Sequence, residues 1–207
     1  MFYVNKNTDL DSLLLQKMIS KFRVEVEPKL QRYKNYYDGK QAILNKAYAD
    51  ASKPCSRTVI NYCKNIVDSY DGYLATPGYI SYRSEQDIED IMNILRYNDY
   101  AAEDADFLLN ALIYGVAAEL MYIDETGHTR FRLINPTTCF GVCDDSLTGD
   151  LLYFVRMYKV NDWDESDTYN VDVYSDYDVK HYTMKGANGH LSFVSEEPHY
   201  VFQCHDN

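Results

Sequence analysis

Asp162, Asp164, Glu165 and Asp167 form the densest run of ligating groups in this 207-residue chain. The alternation Asp162, Asp164, Ser166 matches the opening of a calcium-binding loop, which offers oxygen ligands at every second position. Such a loop needs glycine at its sixth position to turn sharply and glutamate at its twelfth; Asp167 and Val173 stand there instead. The run therefore reads as a wet loop. Cys139 and Cys143, with His128, Cys204 or His205, could supply soft ligands to zinc. Structural zinc uses closely spaced Cys-x-x-Cys knuckles, and none occurs here, so these thiols read as buried apolar groups; Cys55 and Cys63, eight apart, read as core or surface thiols. Asp38-Gly39-Lys40 contains the Gly-Lys pair of a phosphate loop. Its upstream glycine and following hydroxyl are replaced by Lys34 and Gln41, so Gly39 reads as a helix stop. The five histidines are scattered singly. Neither a Gly-x-Ser-x-Gly elbow nor a His-Glu-x-x-His pair occurs. No catalytic, cofactor-binding or metal-binding residue is expected, and the chain reads as a non-enzyme.

Charge points the same way. The formal net charge is -12, but its distribution is uneven: residues 1–64 carry +6 and residues 65–207 carry -18. An acidic body does not grip nucleic acid through its phosphates. The chain carries 21 Tyr and 1 Trp, and Tyr suits half-buried, shared surfaces because its ring packs while its hydroxyl stays wet. An odd cysteine count, no secretory leader at Met1-Phe2-Tyr3 and no apolar run of membrane length lead us to expect reduced thiols, synthesis in the cytoplasm and no membrane span.

The elements that must position these groups are helices first and strands after, an α+β chain. We expect a first helix capped by Thr8, with Leu10, Leu14, Met18 and Phe22 on one face. Pro28 should interrupt it, and a second helix should run from Lys29 to about Asp38, ending at Gly39. Together these make a basic helical arm over residues 1–53. A helix from Ser56 to Leu74 bears the stripe Val59, Ile60, Cys63, Ile66, Val67, Tyr70 and Leu74. Tyr79 to Tyr82 alternates as a short strand. Ser84 to Asp87 resembles a capping box ahead of Ile88, Ile91, Ile94 and Leu95. Asn98-Asp99 breaks the pattern, and a further helix runs from Tyr100 to Val116, turning at Gly115. Residues 54–116 thus form a helical core and residues 117–207 a β-rich part. Strands are expected near 118–124, 129–134, 138–143, 151–160, 169–175, 179–184, 190–194 and 199–204. Turns fall at Thr126-Gly127, Thr148-Gly149 and Gly186 to Gly189. The result is an antiparallel β-meander.

Five segments, in order, resemble the portal proteins of tailed double-stranded-DNA bacteriophages, of the Gram-positive siphophage type. They are Tyr36-Tyr37-Asp38-Gly39 with Ile43-Leu44; Val59 to Asp68, with Asn61, then Gly72-Tyr73-Leu74 and Pro77; Ala111 to Tyr122, with Gly115 and Glu119; Asn135-Pro136 with Phe140; and Val155-Arg156-Met157-Tyr158. The glycine usual before that proline is Ala75 or Thr76 here. The resemblance implies a wing-like fold on the periphery of a ring, typically dodecameric, at one capsid vertex. It implies that terminase, capsid or scaffold proteins and the head–tail connector are partners, and that double-stranded DNA passes through without tight binding. Virion location, with assembly in host cytoplasm, follows. In that family the stem helices and the clip lie further along the chain than Asn207, so the resemblance implies a shortened portal.

Three functions are weighed: a structural ring component, a metal-dependent nuclease or other head-assembly enzyme using the 162–167 acids, and a β-rich ligand-binding module. The first accounts for the motifs. The +6 and -18 split further suggests a ring contact between the basic arm (Lys17, Lys21, Lys29, Lys34) and an acidic neighbour.

Overall fold

The computed structural model describes residues 1–46, 56–75, 81–159, 167–186 and 189–199. Helices precede an antiparallel meander, and the α+β expectation holds. The chain divides into two compact units: Met1–Pro28 with Leu120–Asn207, and Lys29–Glu119. The helical arm expected over residues 1–53 is shared between them.

The first unit is built on a six-stranded sheet. Strand β1 is Phe2–Val4 and β4 is Cys139–Asp144; β5 to β8 are Leu151–Lys159, Thr168–Tyr174, Asp178–Lys185 and Leu191–Pro198. The spatial order is β1-β4-β5-β6-β7-β8. From β4 to β8 each strand pairs antiparallel with the next. The exception is β1, which adds parallel to β4 with Phe2 opposite Val142. Three residues without alternation carry too little pattern for sequence reading to find that strand.

Along the strands, alternate residues face a buried layer: Val155 and Met157, Val171 and Val173, Tyr182 and Met184. Helix α1, Ser12–Lys21, contributes Leu15, Met18 and Ile19 to the core, and Phe22 follows them. The buried face is thus spaced 15, 18, 19, 22, and Leu14, expected in it, is only partly covered. The helix cap is Asp11, whose carboxylate accepts from the Leu14 amide at 2.7 Å, and not Thr8; an Asx cap three residues closer to the apolar run wins.

Pro28 does not interrupt the chain. α1 continues through a π-helical turn, Phe22–Val26, into α2, Glu27–Tyr37. A π turn widens the helix by one residue and rephases its hydrogen-bond ladder, which lets a residue lacking an N–H sit just beyond it. A two-stranded sheet of β2, Ala118–Ile123, and β3, Thr129–Ile134, stands apart from the six-stranded one.

In the second unit, Gly39 at φ +78° ends the α2 segment as expected. Helix α3 is Tyr62–Leu74, shorter than the predicted 56–74. Asn61 starts it, accepting from the Lys64 amide at 3.1 Å, and this leaves Val59 and Ile60 outside. Helix α4, Glu89–Tyr97, begins beyond the expected capping box. The Ser84 hydroxyl and the Asp87 carboxylate each accept from an amide two residues on, closing local turns. Helix α5, Tyr100–Tyr114, ends at Gly115 with φ +72°, and the expected break at Asn98-Asp99 is present, with Asp99 at φ 53°. Residues 81–82 lie in no strand, and residues 79–80 and 200–204 lie outside the described residues.

Among the described residues, α3 and α4 contribute no buried side chain. The stripe expected to be core is open: Ile66 is 58% exposed, Tyr70 58% and Ile60 63%.

Candidate functional site

The motif residues gather in four places. The tightest gathering, in the second unit, joins the end of α2 to the start of α3. The Tyr37 hydroxyl donates to Asp68 at 2.8 Å and accepts from Lys64 Nζ at 3.0 Å. Lys64 also pairs with Asp68 at 3.0 Å. The Asn61 amide donates to the Tyr37 carbonyl at 2.7 Å, while its oxygen caps α3. Gly39 lies against it: a Cβ there would meet Asn61 Nδ2 at 3.3 Å. Lys64 and then Tyr37 hold the Asp68 carboxyl below its ordinary range, and the bonds to Tyr37 and then Asp68 raise the Lys64 ammonium. These bonds tie the end of α2 to the start of α3 and work as a clasp between two helices. Tyr36 lines an adjoining groove of about 540 Å³ together with Tyr33, Tyr37, Cys63, Ile66 and Leu112. On the far part of α3, Gly72 has open space around it and Tyr73 is 67% exposed.

The second gathering is apolar and lies in the first unit. Phe140 on β4 is buried, with Phe2 edge-on at 5.1 Å and Phe22 tilted at 5.2 Å. Ahead of it, Asn135 caps a 3₁₀ turn over Pro136–Thr138 by accepting from the Thr137 amide at 3.0 Å, and Pro136 is buried. These motif positions hold the core together.

The third lies across the middle of the six-stranded sheet. Arg156, Asp172 and His181 are directly opposite one another across β5, β6 and β7. Asp172 is buried, with His181 Nδ1 2.7 Å from its carboxylate. The Arg156 guanidinium sits 4.2 Å over the Tyr158 ring. Burial, then the Asp172 charge, raises the hydroxyl of Tyr158 and pushes that of Tyr174 up to about 12. The buried Asp172 carboxyl thus has the His181 imidazole within hydrogen-bond reach, and Arg156 stands opposite it in the strand register. Sequence reading marked Arg156 and Tyr158 but missed Asp172 and His181. Strand register brings them together, and register is invisible without knowing which strands pair.

The fourth is the exit of α5. Gly115 caps the helix, and Glu119 follows in β2. Desolvation of the Glu119 carboxyl, then the charges of Glu103 and Asp104, raises it above its usual range.

The residues weighed for metal do not assemble. Among the described residues no group of three His, Cys, Asp or Glu could hold an ion. Asp167 pairs with Lys159 at 2.6 Å, and Asp162, Asp164, Glu165, Cys55, Cys204, His205 and the motif residue Pro77 lie outside the described residues. Cys139 and Cys143 are buried free thiols, and burial pushes Cys139 up to about 12. His128 instead lies 2.8 Å from the Thr126 hydroxyl, in the β2–β3 turn. Of the four arm lysines, Lys34 pairs with Asp38 at 2.9 Å, and Lys21 Nζ lies 6.0 Å from the centroid of the Phe2 ring. No described helix is long and apolar enough to cross a membrane.

The family model for phage portal protein, SPP1 Gp6-like, matches residues 24–204. No curated protein gives a significant match. The match covers nearly the whole chain and all five motif segments, and the chain belongs to this family of phage portal proteins, whose role is structural.

Proposed function

We propose that this chain is a structural subunit of a portal ring at a capsid vertex, contributing wing-type material around the channel through which double-stranded DNA is packaged and ejected. The family match over residues 24–204 carries this reading. Two features agree with it. A net charge of -12 lets a polyanion pass without adhering. The exposed apolar faces of α3 and α4 are surfaces that a subunit keeps for neighbours. Terminase, capsid or scaffold proteins and the head–tail connector are the partners such a subunit would meet in the virion and, during assembly, in host cytoplasm.

The test is assembly. Light scattering and negative-stain microscopy of the full chain should find multiples of its 24.1 kDa mass arranged as rings. Reversing the charge of Lys17, Lys21 and Lys29 should shift that mass downwards if the basic arm touches an acidic neighbour. Rings that survive the reversal would dismiss the arm contact alone. A chain that stays monomeric at every concentration would dismiss the ring reading.

A further inference from the structure

We propose that helix α4 of one copy docks into the groove between α2, α3 and α5 of a second copy. This deepens, and rests on, the reading of the chain as a ring subunit. The groove holds about 540 Å³ and is lined by the rings of Tyr33, Tyr36 and Tyr37 and the aliphatic groups of Ile66 and Leu112. Arg32 also lines it, with its guanidinium 5.8 Å from the centroid of the Tyr33 ring, and it is exposed.

Helix α4 has the complementary character. Ile88, Met92 and Leu95, one helical stripe, are its partly covered side chains. On a second stripe, Ile91 is 56% exposed, Ile94 39% and Tyr97 46%. Large apolar groups at intervals of three residues, on a helix with no buried residue, are the pattern by which an amphipathic helix enters an apolar groove. In its first turn Glu89 already pairs with Arg96 of the same helix at 3.0 Å, which leaves Asp90 as the acid to meet Arg32 at the groove, so opposite charges accompany the apolar match. Each copy carries one such helix and one such groove. The contact is therefore head-to-tail, the kind that closes into a ring when the rotation allows.

A thiol already sits in the groove: Cys63 is exposed and free. The full chain carrying Ile94→Cys, mildly oxidised, should give a ladder of covalent dimers, trimers and higher species on a denaturing gel. The ladder should be lost when Cys63→Ser is added and should be absent from the wild-type chain. Because Ile91 and Ile94 are exposed, the pair Ile91→Glu, Ile94→Glu should keep the wild-type helical content while its light-scattering mass falls to that of a single chain. Multimers that form in wild type but never link the introduced thiol to Cys63, or that survive the double glutamate variant, would overturn this contact and leave the ring reading standing. A wild-type chain that is monomeric at all concentrations would overturn both.

Discussion

At the scale of the residue, polar groups here are used to finish turns. Asp124, just after β2, accepts from the Thr126 hydroxyl at 2.6 Å, from the His128 amide at 2.9 Å and from Arg130 Nε at 3.1 Å. The Thr126 hydroxyl, then the His128 amide, hold its carboxyl well below the usual carboxylate range. Asp144, bonded to the Ser146 hydroxyl at 2.7 Å, is lowered for the same kind of reason. The sign follows from linkage. A carboxyl depressed in the folded state stabilises above its unfolded value, near 3.8, and that contribution is lost as pH falls through the folded value. Thermal melts should therefore change little on this account above about pH 5 and lose stability progressively below about pH 4. Asp124→Asn should flatten the acid limb of that curve. An unchanged limb would mean that this turn does not hold its charge in solution. The raised Glu119 works in the opposite sense, since its charged form is disfavoured and acid relieves it. Thr126-Gly127 was legible in the sequence as a turn, but the bonds that converge on Asp124 were not, because they depend on how the turn closes.

At the scale of the element, the exit of α5 shows a local rule surviving into the fold. Gly115 was readable as the point where helix hands over to strand, and it occupies φ +72°. A Cβ there would meet nothing within 4 Å, so the cost of replacing it is backbone strain alone. Left-handed backbone costs an L residue about 1–2 kcal/mol, and a β-branched one is least tolerant. Gly115→Val should lower stability by roughly that amount, and Gly115→Asn by less, since Asn visits this region more readily. Equal melting temperatures for the two variants would show that the strain is absorbed elsewhere. The start of α3 shows the opposite case. Val59 and Ile60 continue a helical stripe, yet Asn61 ends it, because one amide side chain both caps the helix and bonds the Tyr37 carbonyl. Periodicity cannot see a partner 24 residues away.

At the scale of the whole molecule, each unit has its own kind of stability. The first has a layered core that meets at Phe140, where rings from β1, the π turn and β4 converge. Phe140→Ala should cost about 3–5 kcal/mol, read from chemical denaturation. A loss below about 1 kcal/mol would mean that the site collapses around the void. The second unit buries few large apolar side chains among its described residues, only Leu30 and Tyr114, and its apolar faces are left exposed. Helices before strands, most strand positions and the family motifs could all be read from residue order. They rest on short-range periodicity, turn residues and residue identity, which are written along the chain. Four features came from the folded chain alone: β1 joins the sheet in parallel, α1 runs unbroken through a π turn, Asp172 meets His181, and the α3 stripe is surface. Each depends on which distant segments pair and in what register, and on whether enough partners exist to bury an apolar face.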